Sequence, residues 1–258
     1  MERAAEEGAG AAATPGGLAA ASLEDRYALE RGRVLLSGTQ ALVRLTLMQR
    51  RRDMAAGLNT AGFVSGYRGS PLAGLDREFQ RAKRHLDAHH VVFRPGLNED
   101  LAATAVWGSQ QLGLFPGARY DGVFSMWYGK GPGLDRSLDA IRHAHAAGTP
   151  KRGGALLLVG DDHGAVSSTL PHQSEHNLIS AMVPLLSPAG VGEFLDFGLL
   201  GFAMQVVAQL LLEVVAHAKA SSEPVSSRRR RRAVLSRDFM VSTGIFKIRA
   251  LSSTLRSR

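Results

Sequence analysis

Apolar and polar positions follow two rhythms along this chain. Short apolar runs, "TAGFVS" (60–65), "HVVFR" (90–94), "GVFSMWY" (122–128), "GALLLVG" (154–160) and "MVPLLS" (182–187), read as buried strands. Helical spacing fills the intervals. A first helix over about 33–52 places Leu35, Leu36, Leu42, Leu45 and Met48 on its inner face. The segment Pro71 to His89 repeats Leu72, Leu75, Phe79 and Leu86. There Ser70 suits the N-cap and Pro71 the first helical position, where its missing N–H costs nothing. "NEDLAATAVWGSQQLGL" opens the next helix with Asn98 as cap, and a further helix follows "GKGPGLDRS" through His145. The stretch from Phe197 to Ala216 is long and apolar, but Gln205, Gln209, Glu213 and His217 recur every four residues. That polar stripe predicts an amphipathic helix packed on the core rather than a membrane span.

Strand–helix alternation over five units predicts an α/β domain built on a doubly wound parallel sheet. Ligands of such sheets gather beyond the carboxyl ends of the strands. The loops 66–70, 95–99, 128–135 and 161–175 all leave from those ends, so one rim collects glycines, acids and donors. The last of them, "GDDHGAVSSTLPHQSE", is long enough to suggest a functional role.

Composition changes the picture at the two ends. The net charge of +8 belongs entirely to residues 205–258, which hold 11 basic and 3 acidic side chains; residues 1–204 hold 20 of each. The basicity therefore argues against a nucleic-acid footprint on the folded domain, and the run Arg228 to Arg232, without interleaved aromatics, is a weak third reading. Residues 1–22 read as a disordered Ala/Gly-rich leader, residues 23–225 as the domain, and 226–258 as a basic, disordered tail. The absence of cysteine excludes disulfides, thiol catalysis and a cysteine-held iron–sulfur cluster on this chain. It also fits a reducing compartment, and a cytoplasmic location is expected.

"GYRGSPLAGLD" (66–76) sits where a strand turns into a helix. Its glycines permit a tight turn with N–H groups facing an anion; an ordinary βα turn is the other reading. Neither it nor "GKGPGLD" has dinucleotide or P-loop spacing. Glu99, on the first turn of an apolar helix, is either a partner of the helix dipole or a proton-relay acid. Asp161, Asp162, His163, His172 and Glu175 match no common metal spacing, and no metal site is expected. Ser167 or Ser168 with His163 lacks the G-x-S-x-G elbow of a hydrolase.

Taken together, "LEDRYALERGRVLLSGTQALVRL", "GFVSGYRGSPLAGLD", "PGLNEDLAATAVWGSQQ", "MWYGKGPGLDRS", "GDDHGAVSSTLPHQSE" and "SPAGVGEFLDFGLLGFAM" resemble the N-terminal region of the long, fused bacterial indolepyruvate:ferredoxin oxidoreductases. The resemblance runs in order from about Leu23 to Ala220 and implies the pyrimidine-binding domain of a thiamine-diphosphate-binding fold. It implies oxidative decarboxylation of an aryl-2-oxo acid to an acyl-CoA, with ferredoxin taking the electrons in the complete enzyme. Glu99 matches the acid that meets N1′ of the cofactor's aminopyrimidine, where it favours the imino tautomer that takes the thiazolium C2 proton. Gly66, Tyr67, Arg68, Gly69 and Ser70 match the turn lying against the substrate carboxylate, with Arg68 in a proline-like position. Asn98, Lys130, Asp161, Asp162 and His172 are candidates to line the site.

The Gly-Asp-Gly signature of a diphosphate-binding domain is absent, and "GDD" (160–162) does not replace it. The expected Mg²⁺, cofactor phosphates and iron–sulfur cluster would then be held by regions or subunits outside this sequence. The reading is a truncated, Arg-tailed chain inactive alone. The alternative is a non-catalytic module pairing with a separate diphosphate-binding subunit.

Overall fold

The computed structural model describes residues 22–208 and 212–217. Their elements in chain order are α1 (Asp25–Ala28), α2 (Gly38–Ala55), β1 (Thr60–Gly66), α3 (Leu75–Arg81), α4 (Lys83–Ala88), β2 (Val91–Phe93), α5 (Glu99–Ser109), β3 (Gly122–Lys130), α6 (Gly131–Ala147), β4 (Gly154–Asp161), α7 (Glu175–Ser180), β5 (Leu185–Leu186), α8 (Val191–Ala208) and β6 (Leu212–His217). All strands pair parallel in one six-stranded sheet, in the order β2-β1-β3-β4-β6-β5. The chain steps outward from β1 to β2, then passes back across β1 to β3. The strand order therefore reverses between β1 and β3, the place where open α/β sheets open a crevice. The expected doubly wound parallel α/β sheet is what the chain forms.

Alternation along the central strands builds two cores. Phe124, Met126 and Tyr128 of β3, with Leu156 and Leu158 of β4, face α2, α3, α4 and α8 through Leu42, Leu45, Phe79, Leu86 and Phe202. Trp127 of β3, with Ala155, Leu157 and Val159 of β4, faces α5, α6 and α7 through Ala102, Val106, Leu134, Ile141 and Leu178. Successive side chains of a strand point to opposite faces, so a central strand must be apolar throughout. That is why "GALLLVG" is buried at every position.

Several boundaries differ from expectation. The helix expected from 33 starts at Gly38, because Ser37 and Gln40 close a reciprocal capping box: Ser37 Oγ accepts from the Gln40 N–H at 3.3 Å and Gln40 Oε1 from the Ser37 N–H at 3.0 Å. Leu35 is consequently outside the helix and 96% exposed. Ser70 caps nothing. The Ser70–Pro71 bond is cis, and Pro71 and Leu72 pack onto Gly160 of β4, so the chain turns down onto the sheet before α3 begins at Leu75. Leu72, Leu75, Phe79 and Leu86 are buried as expected, but Leu72 lies in the turn and the other three on two short helices that part at Ala82. In place of "MVPLLS" only Leu185–Leu186 is strand, and α7 was not anticipated.

The largest correction concerns the amphipathic helix. It ends at Ala208, and Leu212–His217 forms a sixth strand between β4 and β5. Gln205 is not on a polar outer stripe; it is 1% exposed and its Nε2 donates to the Ala155 carbonyl at 2.7 Å. An apolar run such as "LLLEVV" suits a buried strand as well as a buried helix, and periodicity cannot separate them. No described helix is long and apolar enough to cross a membrane. Residues 1–21 of the expected 1–22 leader, residues 209–211 and everything after His217, including Arg228 to Arg232, lie outside the described residues.

Candidate functional site

The site grows from the carboxyl ends of β1 and β3. The two strands are in register through Gly66 and Tyr128. A Cβ on Gly66 would stand 2.2 Å from the Tyr128 carbonyl oxygen, so only glycine lets the chain leave β1 this close to β3. Tyr67 N–H then donates to that same carbonyl at 3.0 Å. Tyr128 itself is fully buried and donates its hydroxyl to Asp76 Oδ1 at 2.7 Å, tying β3 to the start of α3. Burial first, and then this bond to Asp76, push the Tyr128 hydroxyl pKa far up, so it remains a donor.

Across the rim, Asn98 caps α5 as expected: its Oδ1 accepts from the Leu101 N–H at 2.8 Å. Capping fixes the first turn and directs Glu99 inward, where it is 8% exposed. Its backbone carbonyl accepts from Trp127 Nε1 at 3.0 Å, which anchors the turn to β3. Space for the side chain comes from Gly133. A Cβ on Gly133 would lie 2.4 Å from Glu99 Cγ, and one on Gly129 3.4 Å from the same atom. Arg136, one turn along α6, brings Nη1 to 3.9 Å from Glu99 Oε2.

The 162–174 loop closes the other side of the α6 N-terminus. Asp161, at the end of β4, is buried and accepts from the Ser174 N–H and hydroxyl, both at 2.6 Å. His172 packs on Gly131, where a Cβ would be 2.0 Å from its Nδ1, and its Nε2 is 2.8 Å from Asp135 Oδ2. Glu99 and His172 thus flank the same first turn of α6, two residues apart along its backbone. Asp162 turns into its own loop, accepting from the N–H groups of Ser167 at 2.8 Å and Val166 at 3.0 Å. Those bonds hold its carboxyl below the usual carboxylate range. Lys130 is half-buried, with its stem against Gly69. Arg68 is exposed, and Ser70 is half-buried in the turn.

The rim therefore gathers Gly66, Gly69, Asn98, Glu99, Lys130, Asp161 and His172 on neighbouring elements, while Tyr67 and Arg68 extend outward. Sequence reasoning passed over Asp135, Arg136, Gly129, Gly133 and Ser174. The run "GKGPGLDR" carried the signal, since glycines at every second position before a helix mark a backbone packed tightly by its neighbours. Among the described residues, no group of three His, Asp or Glu is placed to hold a metal. Leu97, Leu101, Val166 and Leu170 are exposed around the rim. A cleft of about 450 Å³ lies at the β2 edge of the sheet, lined by Phe79, Lys83, Leu86, Val92, Arg94 and Pro95.

No protein-family profile matches the chain, and no curated protein sequence matches it. Among solved structures, it is similar to benzoylformate decarboxylase from Polynucleobacter necessarius, at 17% identity and a TM-score of 0.45. The likeness covers 74% of this chain and 33% of that one, so the chain spans about a third of that protein's length. A likeness of this degree assigns neither family nor chemistry.

Proposed function

We propose that this chain is the aminopyrimidine-binding part of a thiamine-diphosphate-dependent 2-oxo-acid oxidoreductase of the indolepyruvate type. The observation that carries the reading is Glu99: a buried acid on the first turn of α5, at the reversal of strand order, given room by Gly133. When bound, thiamine diphosphate supplies the electron sink for decarboxylation. Glu99 would hold a proton against N1′ of the aminopyrimidine, and the buried Trp127 would keep the acid's turn fixed. The residues fit that end of the cofactor. Mg²⁺, the phosphate contacts and the iron–sulfur cluster belong, on this reading, to other regions or subunits, and ferredoxin and CoA to the complete enzyme.

Calorimetric titration tests it. Thiamine is expected to bind, and Glu99→Gln to weaken it by about tenfold or more, the worth of a hydrogen bond to a charged group. Equal affinity in the two proteins overturns the assignment. Thiamine diphosphate with Mg²⁺ is expected to bind no more tightly than thiamine, and tight binding overturns the half-site reading.

The exposed Leu97, Leu101, Val166 and Leu170 favour a second reading, a module that docks a separate diphosphate-binding subunit over this rim. Co-purification with such a subunit, lost on Leu97→Glu, distinguishes it.

A further inference from the structure

The acids of this rim are each engaged by their own neighbours. Asp161 is held by Ser174, Asp162 by Val166 and Ser167, Asp135 by His172 and Asn177, and Glu99 faces Arg136. The cations differ. Arg68 and Arg94 are exposed, so water satisfies them. Lys130 is half-buried, and among the described residues it has no carboxylate within ion-pair distance. Its one hydrogen bond is a long one, 3.4 Å, to the Ser168 hydroxyl, which itself reaches Asp162. An ammonium has three protons to donate, so a head with one long bond keeps donors for an anion.

The position is also built. Lys130 ends β3 at the reversal of strand order, and Gly69 is fitted to it: a Cβ there would stand 3.1 Å from Lys130 Cδ and 3.3 Å from its Cγ. Loop 66–70 therefore packs on the stem, and the head reaches Ser168 in the 162–174 loop. A Cβ on Gly129, the residue before, would lie 3.4 Å from Glu99 Cγ, and Gly131, the residue after, packs on His172. Lys130 is the backbone position between the two.

We propose that Lys130 binds the carboxylate of the 2-oxo acid and so selects anionic over neutral carbonyl substrates. This rests on the reading of Glu99 as the acid that meets the cofactor's pyrimidine. An ammonium also suits a phosphate oxygen, and the two sources are separated by the ligands used.

The test is titration of the full chain with phenylpyruvate, with 1-phenyl-2-propanone as its neutral counterpart, and with inorganic phosphate. Lys130→Met is expected to weaken phenylpyruvate by about tenfold to a hundredfold, the worth of a charge-assisted bond. Lys130→Arg is expected to restore most of that loss, and the neutral ketone to bind both variants like the unaltered chain. A merely structural lysine would change both ligands together. In the unaltered chain, NMR signals of the Lys130 side chain are expected to move with phenylpyruvate and not with the ketone, which serves even where the methionine variant does not fold. Unchanged phenylpyruvate affinity in Lys130→Met, no binding by the unaltered chain at millimolar ligand, or phosphate displacing phenylpyruvate at equal concentration overturns the proposal. Thiamine binding in Glu99→Gln reads the underlying function separately: unweakened thiamine binding there, with phenylpyruvate still dependent on Lys130, overturns that function and leaves the anion site.

Discussion

The two faces of the sheet are packed from different materials. The α2, α3, α4 and α8 side is bulky: Leu42, Leu45, Leu47, Leu75, Phe79, Leu86 and Phe202 close it. On the α5, α6 and α7 side alanines recur, at 102, 103, 140, 144, 155 and 181, and the N-terminal turn of α6 carries Gly131 and Gly133. Large side chains bury more apolar area each, so the first side supplies most of the driving force for folding. Small ones let α5 and α6 approach closely, which brings Glu99 to α6 and gives the acid its fixed surroundings. One face is built for stability and the other for placement.

The comparison breaks most visibly at Phe79, fully buried and stacked on Phe93 with centroids 4.9 Å apart. Phe79→Ala is expected to cost about 3–5 kcal/mol, read as a fall in the urea midpoint, while any folded fraction still binds thiamine. Gly133→Val tests the other face. Its branched side chain would enter the space of the Glu99 carboxyl, with a stability loss of about 1–3 kcal/mol from overpacking and loss of thiamine binding out of proportion to it. Calorimetry on the folded variant, set beside its urea curve, checks that split. Asn98→Ala removes the α5 cap, and a loss of about 1 kcal/mol is expected in the same urea measurement.

The smallest effect is one of pH. Burial lowers the pKa of His145 on α6 from its ordinary 6.5, and its Nδ1 has no partner among the described residues. His89 at the end of α4 is lowered too, again by burial first. Below pH 6.5 the unfolded chain therefore binds protons that the folded chain refuses. Stability falls as pH drops from that value toward the folded pKa and levels off beneath it. Urea midpoints at about pH 7.5 and about pH 5.5 should differ accordingly, and His145→Leu should reduce the difference.

Much of this was legible along the chain because it is local. Strand positions announce themselves by unbroken apolar runs, and Asn98 with Glu99 forms a helix start that three consecutive residues are enough to specify. The doubly wound sheet follows from that alternation. What escaped depends on distant partners. Ser70 and Pro71 have the chemistry of a helix start, yet Gly160, some ninety residues later in the chain, offers them a surface to pack on. Gln205 has the spacing of a solvent stripe until the Ala155 carbonyl takes its amide. The contact of His172 with Gly131 and the bond from Ser174 to Asp161 likewise join segments that no periodic pattern relates. A functional role for the 161–175 loop is suggested by its length, but not which of its residues pack against α6.

The place of β6 carries a consequence for how the chain assembles. Its two sheet neighbours are β4 and β5, both made earlier, and β5 pairs with no other described strand. During synthesis β1, β2, β3 and β4 all precede it, and β5 has no ladder partner among the described strands until β6 is made. The outer third of the sheet thus depends on a strand that is made after both of its neighbours.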